Sequence, residues 1–236
     1  FVNDGKSEPH LHNEHTGEDI AIRGNKKVKI LLSNMGDISA RSMAATAQSL
    51  GFNAEAVPIP TPRTLRFARN HASGKECVPS LLLLGSMLEY FASDKYDKST
   101  TYMIFVPITT GPCRTGQYFV FYQNLFRDLR LENVVVFTLS ADHSYSELGA
   151  GFSKIMWWAL CAADYLKDIQ TTLRTCAVDR AYAMSEVNEG VKYVLEEAKK
   201  SWKNIVPALK VFADRVKKIP LKKDPEKCPK VLVGGE

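Results

Sequence analysis

No stretch of the 236-residue chain approaches the roughly 20 consecutive apolar residues of a membrane-spanning helix. The polar opening, residues 1–24, also lacks the apolar core of a secretory signal. Neither a membrane nor a translocation role is therefore expected. Nucleotide signatures are missing too. There is no Gly-x-x-x-x-Gly-Lys-Ser/Thr, and no Gly-x-Gly-x-x-Gly follows the first strand-like run. Gly-x-Ser-x-Gly and His-Glu-x-x-His are absent, which removes two common hydrolase readings. Cysteines are few, odd in number (five) and unevenly spaced. They make no secreted disulfide framework, and a reducing cytoplasm with metal or redox thiols suits them better. The charge excess is small, +5, and much of it lies near the end of the chain, in Lys217, Lys218, Lys222, Lys223, Lys227 and Lys230. That pattern reads as a solvated basic face, not a nucleic-acid site. With 45% hydrophobic and 24% charged residues, the chain has the composition of an ordinary folded domain.

Strand-like and helix-like runs alternate through the first two thirds. Residues 28–33 read as a first strand ended by Asn34-Met35-Gly36, with Asp37 or Ser39 as cap of a helix reaching Leu50. A short strand over 54–57, a short helix over 61–68, a helix to Phe91 and a strand over 101–106 follow. A helix over 119–129 and a strand over 133–139 complete the series. The expected fold class is α/β: a Rossmann-like or flavodoxin-like parallel sheet with helices on both faces and right-handed crossovers. Beyond residue 147 the pattern turns wholly helical, over 152–173 and 185–216. The expected organisation is a polar lead-in (1–24), an α/β domain (25–146), a helical region packed on it (147–227), and the start of a further α/β unit (228–236). The strand-like Lys230-Val-Leu-Val and the missing initial Met suggest a piece of a longer protein.

Two cysteines stand out by position. Cys113 sits between a strand pattern and a helix pattern, beside Pro112 and between Gly111 and Gly116. Cys77 precedes the apolar helix pattern 81–91. Loops before helices of neighbouring βα units converge on the carboxyl edge of a parallel sheet, where ligands bind. Helix N-termini there favour the thiolate. The pair reads as half of a metal or cluster site, or as two unreactive loop thiols. Arg114 reads as a phosphate or carboxylate clamp, a donor to cluster sulfur, or a structural ion pair. Cys161 belongs to an apolar helix face, Cys176 lies at a helix boundary from which it could approach the sheet edge as a third ligand, and Cys228 lies in a lysine-rich loop. Asp142-His143-Ser144 are consecutive and point apart, so they form no triad. His10, His12 and His15 match no closed metal site.

Asn34-Met35-Gly36, Gly74-Lys75-Glu76-Cys77-Val78-Pro79, Gly111-Pro112-Cys113-Arg114-x-Gly116-Gln117-Tyr118 and Pro229-Lys230-Val231 with Glu236 follow one another in a pattern. In this the chain resembles 2-hydroxyacyl-CoA dehydratase-related proteins, particularly the carboxy-terminal part of large activase-related members from anaerobes. The resemblance implies a [4Fe-4S] cluster held by motif cysteines, here Cys77 and Cys113. A third ligand would come from a second α/β domain. Arg114, Gln117, Tyr118, Asn34 and Gly36 would line the pocket. It also implies an acyl-CoA substrate and a partner or fused ATPase that drives one electron into the cluster. The electron passes to the thioester carbonyl, and the ketyl radical expels a hydroxyl group. Ser80 stands where a Cys-x-x-Cys pair would need its second thiol. A scaffold domain that keeps the fold without a working cluster is the competing expectation.

Overall fold

The computed structural model describes residues 9–12, 18–106, 112–138, 148–149, 151–229 and 231. A parallel four-stranded sheet organises the first part. Its strands are β3 (Val28–Leu32), β4 (Ala54–Ala56), β5 (Thr101–Phe105) and β6 (Val134–Phe137), in the spatial order β4-β3-β5-β6. Period-two alternation sorts their side chains. Val28, Ile30 and Leu32 of β3, Met103 of β5 and Phe137 of β6 enter one core layer. Leu31, Tyr102, Ile104 and Val136 enter the other. Both faces are therefore apolar, and both are covered by helices, as a parallel sheet requires.

On the first face lie α1 (Asp37–Ser49) and the beginning of α5 (Phe152–Cys176), through Ala44, Ala47, Phe152 and Met156. The opposite face carries α2 (Pro62–Arg69), α3 (Val78–Phe91) and α4 (Thr115–Asp128). Leu84, Met87, Tyr122 and Phe126 anchor α3 and α4 there. The chain leaves β3 for β4 on one side and then returns past β3 to β5. The reversal falls between β3 and β5, and in open α/β sheets the carboxyl ends of the strands at such a point are where ligands bind. The mixed α/β architecture, with a parallel sheet between helices and long helices after it, matches the fold class expected from the pattern.

Several details depart from the sequence pattern. The lead-in is not merely extended: β1 (His10–His12) and β2 (Asp19–Ala21) pair antiparallel, and Leu11 and Ile22 are buried against the first face of the sheet. His10 and His12 both approach Asp19, His12 by a 2.8 Å hydrogen bond, which pulls the Asp19 carboxyl below its usual range. His15 lies outside the described residues, as does the 139–147 loop with Asp142, His143 and Ser144. Neither Asp37 nor Ser39 caps α1; Gly36 occupies the cap position with no side-chain bond. Helix α4 begins at Thr115, four residues before its apolar period, because polar Gln117 and buried Tyr118 share its first turn.

The helical pattern over 185–216 is broken in two. Helix α6 (Arg180–Lys200) ends, Ser201 caps a 3₁₀ turn over Trp202–Asn204, and α7 (Ile205–Val216) turns back. Gly190 makes this hairpin close, since a Cβ there would collide with the Phe212 ring. Helices α5, α6 and α7 build a second core with Leu166, Leu173, Val187, Val194 and Phe212, joined to the α/β part by Ile38 and Ala45 of α1. Along α5 the apolar stripe from Phe152 through Met156, Ala159, Ala163 and Leu166 is buried as its spacing predicts. Trp157 and Trp158 are 67% and 48% exposed in this chain. They lie on the flank of α5 that neither core reaches. Of the strand expected over 229–233, only Pro229 and Val231 are described, and neither is in a strand.

Candidate functional site

The two motif loops meet at the carboxyl edge of the sheet. Cys77 is the N-cap of α3, extended at φ −71° and ψ 151°, with Pro79 in the first turn of the helix. The turn before it is wound around Glu76. The Glu76 carboxylate accepts from the amides of Ser73 (3.1 Å), Gly74 (3.0 Å) and Lys75 (3.1 Å) and from the Ser73 hydroxyl (2.8 Å). These donors, the Ser73 amide first, pull its pKa down to about 2. Gly74 sits in that turn at φ 84°, a left-handed conformation that glycine adopts without strain. Thus Glu76 fixes the loop that presents Cys77. It was visible only as one letter of a motif, since nothing in the spacing reveals that its acceptors face backward.

Arg114 ties the second loop to the first. Its Nη1 donates to the Lys75 carbonyl at 2.9 Å, across 39 residues of sequence. The guanidinium thus holds backbone of the neighbouring loop. Arg114 is also the N-cap residue of α4, so Cys113 stands immediately before that helix. Cys113 is exposed, and its sulfur lies 2.9 Å from the Thr115 hydroxyl. Both thiols therefore sit at helix starts, where unpaired amides and the dipole stabilise negative charge.

Tyr118 stands between them. Its side chain is buried, and its hydroxyl is hydrogen-bonded to the Cys77 sulfur. Burial first, then Cys77 and the charge of Cys113, push the Tyr118 phenol up to about 12. The phenol consequently stays protonated beside the Cys77 sulfur. Tyr122 stacks on Tyr118 with centroids 6.1 Å apart and donates to the Ser80 carbonyl at 2.8 Å. Burial raises the Tyr122 phenol as well. Ser80 is fully buried, 3.3 Å from the Tyr122 hydroxyl. The position that would have completed a Cys-x-x-Cys pair therefore faces the core beneath the site.

The remaining expected residues divide. Gln117 is exposed on the first turn of α4, its amide donating to the Arg114 carbonyl. Asn34 is buried and its side-chain amide donates to the Val57 carbonyl at 3.1 Å, tying the ends of β3 and β4 together. Gly36 adopts an extended φ of 176°, and an added Cβ would meet Ser39 Oγ at an ordinary 3.5 Å, so packing does not demand glycine there. Cys176 does not join the site. It ends α5, about 15 Å of helix beyond Leu166, and its sulfur lies 3.5 Å from Cys228. Cys161 is half-buried on α5.

None of the five cysteines is in a disulfide. Among the described residues, no three histidine, cysteine or acidic side chains are grouped to hold a metal ion. Likewise no described helix is long and apolar enough to cross a membrane. No protein-family model, curated protein or solved structure matches this chain.

The donor chemistry of the edge suits an iron–sulfur cluster in part. Two thiols on loops locked together, each at a helix start, with a protonated phenol beside one of them, are what thiolate ligation to iron needs. A [4Fe-4S] cubane takes more protein ligands than these two.

Proposed function

We propose that the chain is one half of an iron–sulfur site in a redox module of the 2-hydroxyacyl-CoA dehydratase-related class. The observation that carries this reading is the Arg114–Lys75 link, which joins the Cys77 and Cys113 loops around the Tyr118 hydroxyl. Cys77 and Cys113 would ligate iron as thiolates, and the remaining ligands would come from outside the described residues. When bound, the cluster supplies single electrons to an acyl-CoA, received from an ATP-driven partner or fused activase domain. The chain's own residues have other tasks. Tyr118 donates to the Cys77 sulfur and lessens its charge, while Tyr122 and Ser80 close the floor beneath. Glu76 and Arg114 hold both loops in place, so ligand positions are set before iron arrives.

The competing reading is a scaffold or interaction domain with two unreactive thiols. It is favoured by the lack of a third grouped ligand among the described residues. Anaerobic reconstitution with ferrous iron and sulfide, in the presence of a small thiol that can supply the remaining ligands, separates the two. The cluster reading expects iron and sulfide to bind together with a visible charge-transfer band that Cys77→Ser and Cys113→Ser each abolish, with Cys161→Ser unaffected. A colourless protein, or equal incorporation into the double variant, would leave the scaffold reading standing.

A further inference from the structure

A second thiol pair, far from the sheet edge, is built differently. Chain leaving α7 folds back along the corner between α5 and α6. The Val178 amide donates to the Pro220 carbonyl at 3.0 Å, the Lys222 amide donates to the Cys176 carbonyl at 2.8 Å, and Ala177 bridges Leu221 antiparallel. A 3₁₀ turn over Pro225–Lys227, capped by Asp224, then brings Cys228 back onto Cys176. The two sulfurs lie 3.5 Å apart, although 52 residues separate them in sequence. Cys176 is 2% exposed, whereas Cys228 is half-buried at the surface.

We infer that Cys176 and Cys228 form a reversible dithiol–disulfide couple, oxidised by small-molecule disulfides of the glutathione class, that locks the 219–228 strap to the α5–α6 corner. Joining the sulfurs requires them to close by only about 1.5 Å, from 3.5 Å to a disulfide bond. The strap carrying Cys228 is a short surface segment that can make that move. The order of steps follows from access. Cys228, as thiolate, attacks one sulfur of the small disulfide; a bond forms to Cys228, the original S–S bond breaks, and one thiolate leaves and takes a proton. Cys176, on losing its proton, then attacks the Cys228 sulfur of the mixed disulfide and expels the second small thiol. Two protein thiols are oxidised by two electrons, and one disulfide is reduced to two thiols. Lys222 and Lys223 supply positive charge beside the pair. The hydrogen bond with Cys228 pushes the Cys176 thiol up, in keeping with its role as the second, resolving thiol. Strap and corner are then covalently closed, and a dithiol reductant reopens them.

The test treats the whole protein with excess oxidised glutathione at neutral pH, blocks residual thiols, and maps the digest by mass spectrometry. The expected product is one Cys176–Cys228 cross-linked peptide, formed equally in Cys77→Ser. It disappears in Cys228→Ser and on reduction. The oxidised form should melt roughly 5–15 °C above the reduced form, and Cys228→Ser should show no such difference. Glutathione retained on Cys228 with Cys176 still alkylatable, or Cys228 joined to a different cysteine, would overturn the inference. So would a cross-linked protein that melts no higher than the reduced one.

Discussion

The two thiol pairs occupy opposite kinds of setting. Cys77 and Cys113 stand on separate loops that polar side chains fasten together, and a tyrosine hydroxyl lies against one of the sulfurs. Cys176 and Cys228 lie against each other, one fixed at a helix end and one on a surface strap. A pair on loops fastened to each other at helix starts could share a third party. A pair in direct contact is arranged to react with itself. Thiol chemistry is thus decided by what the fold places between and beneath the sulfurs, more than by the residue type.

The largest expected effect that breaks this comparison comes from Gly85 of α3. An added Cβ would collide with the Thr64 carbonyl of α2, and neither backbone can yield easily. Gly85→Ala is expected to destabilise the protein by about 3 kcal/mol, read by urea denaturation. Iron uptake at Cys77 and Cys113 should fall with it. Gly190→Ala, which drives a Cβ into the Phe212 ring between α6 and α7, should cost about 2 kcal/mol. Oxidation of Cys176 with Cys228 should then slow, while iron uptake at the sheet edge stays near the parent level. If both variants damaged both pairs equally, the two settings would not be separable.

Much of the first setting was legible in the sequence. β-branched runs with turn punctuation gave the strands, and motif loops placed before helices gave Cys77 and Cys113 their edge. Arg114 was singled out, but its partner is a backbone carbonyl, which no side-chain pattern encodes. The second setting was almost invisible. Cys176 and Cys228 meet only because α7 reverses after a 3₁₀ turn that the unbroken apolar period over 185–216 conceals. The β1–β2 pairing escaped notice for a similar reason: its strands have three residues each, too few to show alternation against polar neighbours. A wide apolar stripe such as the one around Trp157 and Trp158 does not say how much of it this chain covers.

Smaller changes sharpen the sheet-edge account. Tyr118→Phe removes the hydroxyl from the Cys77 sulfur and is expected to cost about 1 kcal/mol, seen as a lower denaturation midpoint. Alkylation of Cys77 should change in rate, whereas the Cys176–Cys228 pair should oxidise as in the parent. Glu76 gives the smallest effect, confined to its loop. Its carboxyl is lowered from 4.5 to about 2, so its hold on the Ser73–Lys75 amides is complete above about pH 4.5 and is lost as pH falls through 2. Amide exchange at Gly74 and Lys75 should therefore gain protection as pH rises through that window, a dependence that Glu76→Gln removes.

Differential alkylation tests the central claim most directly. The protein is reconstituted anaerobically with iron, sulfide and a small thiol that supplies the remaining ligands, freed of excess thiol, treated with iodoacetamide, and mapped cysteine by cysteine. The account predicts that iron shields Cys77 and Cys113 while Cys228 remains as reactive as in the iron-free protein. Shielding at Cys176 and Cys228, with Cys77 and Cys113 alkylated as before, would contradict it.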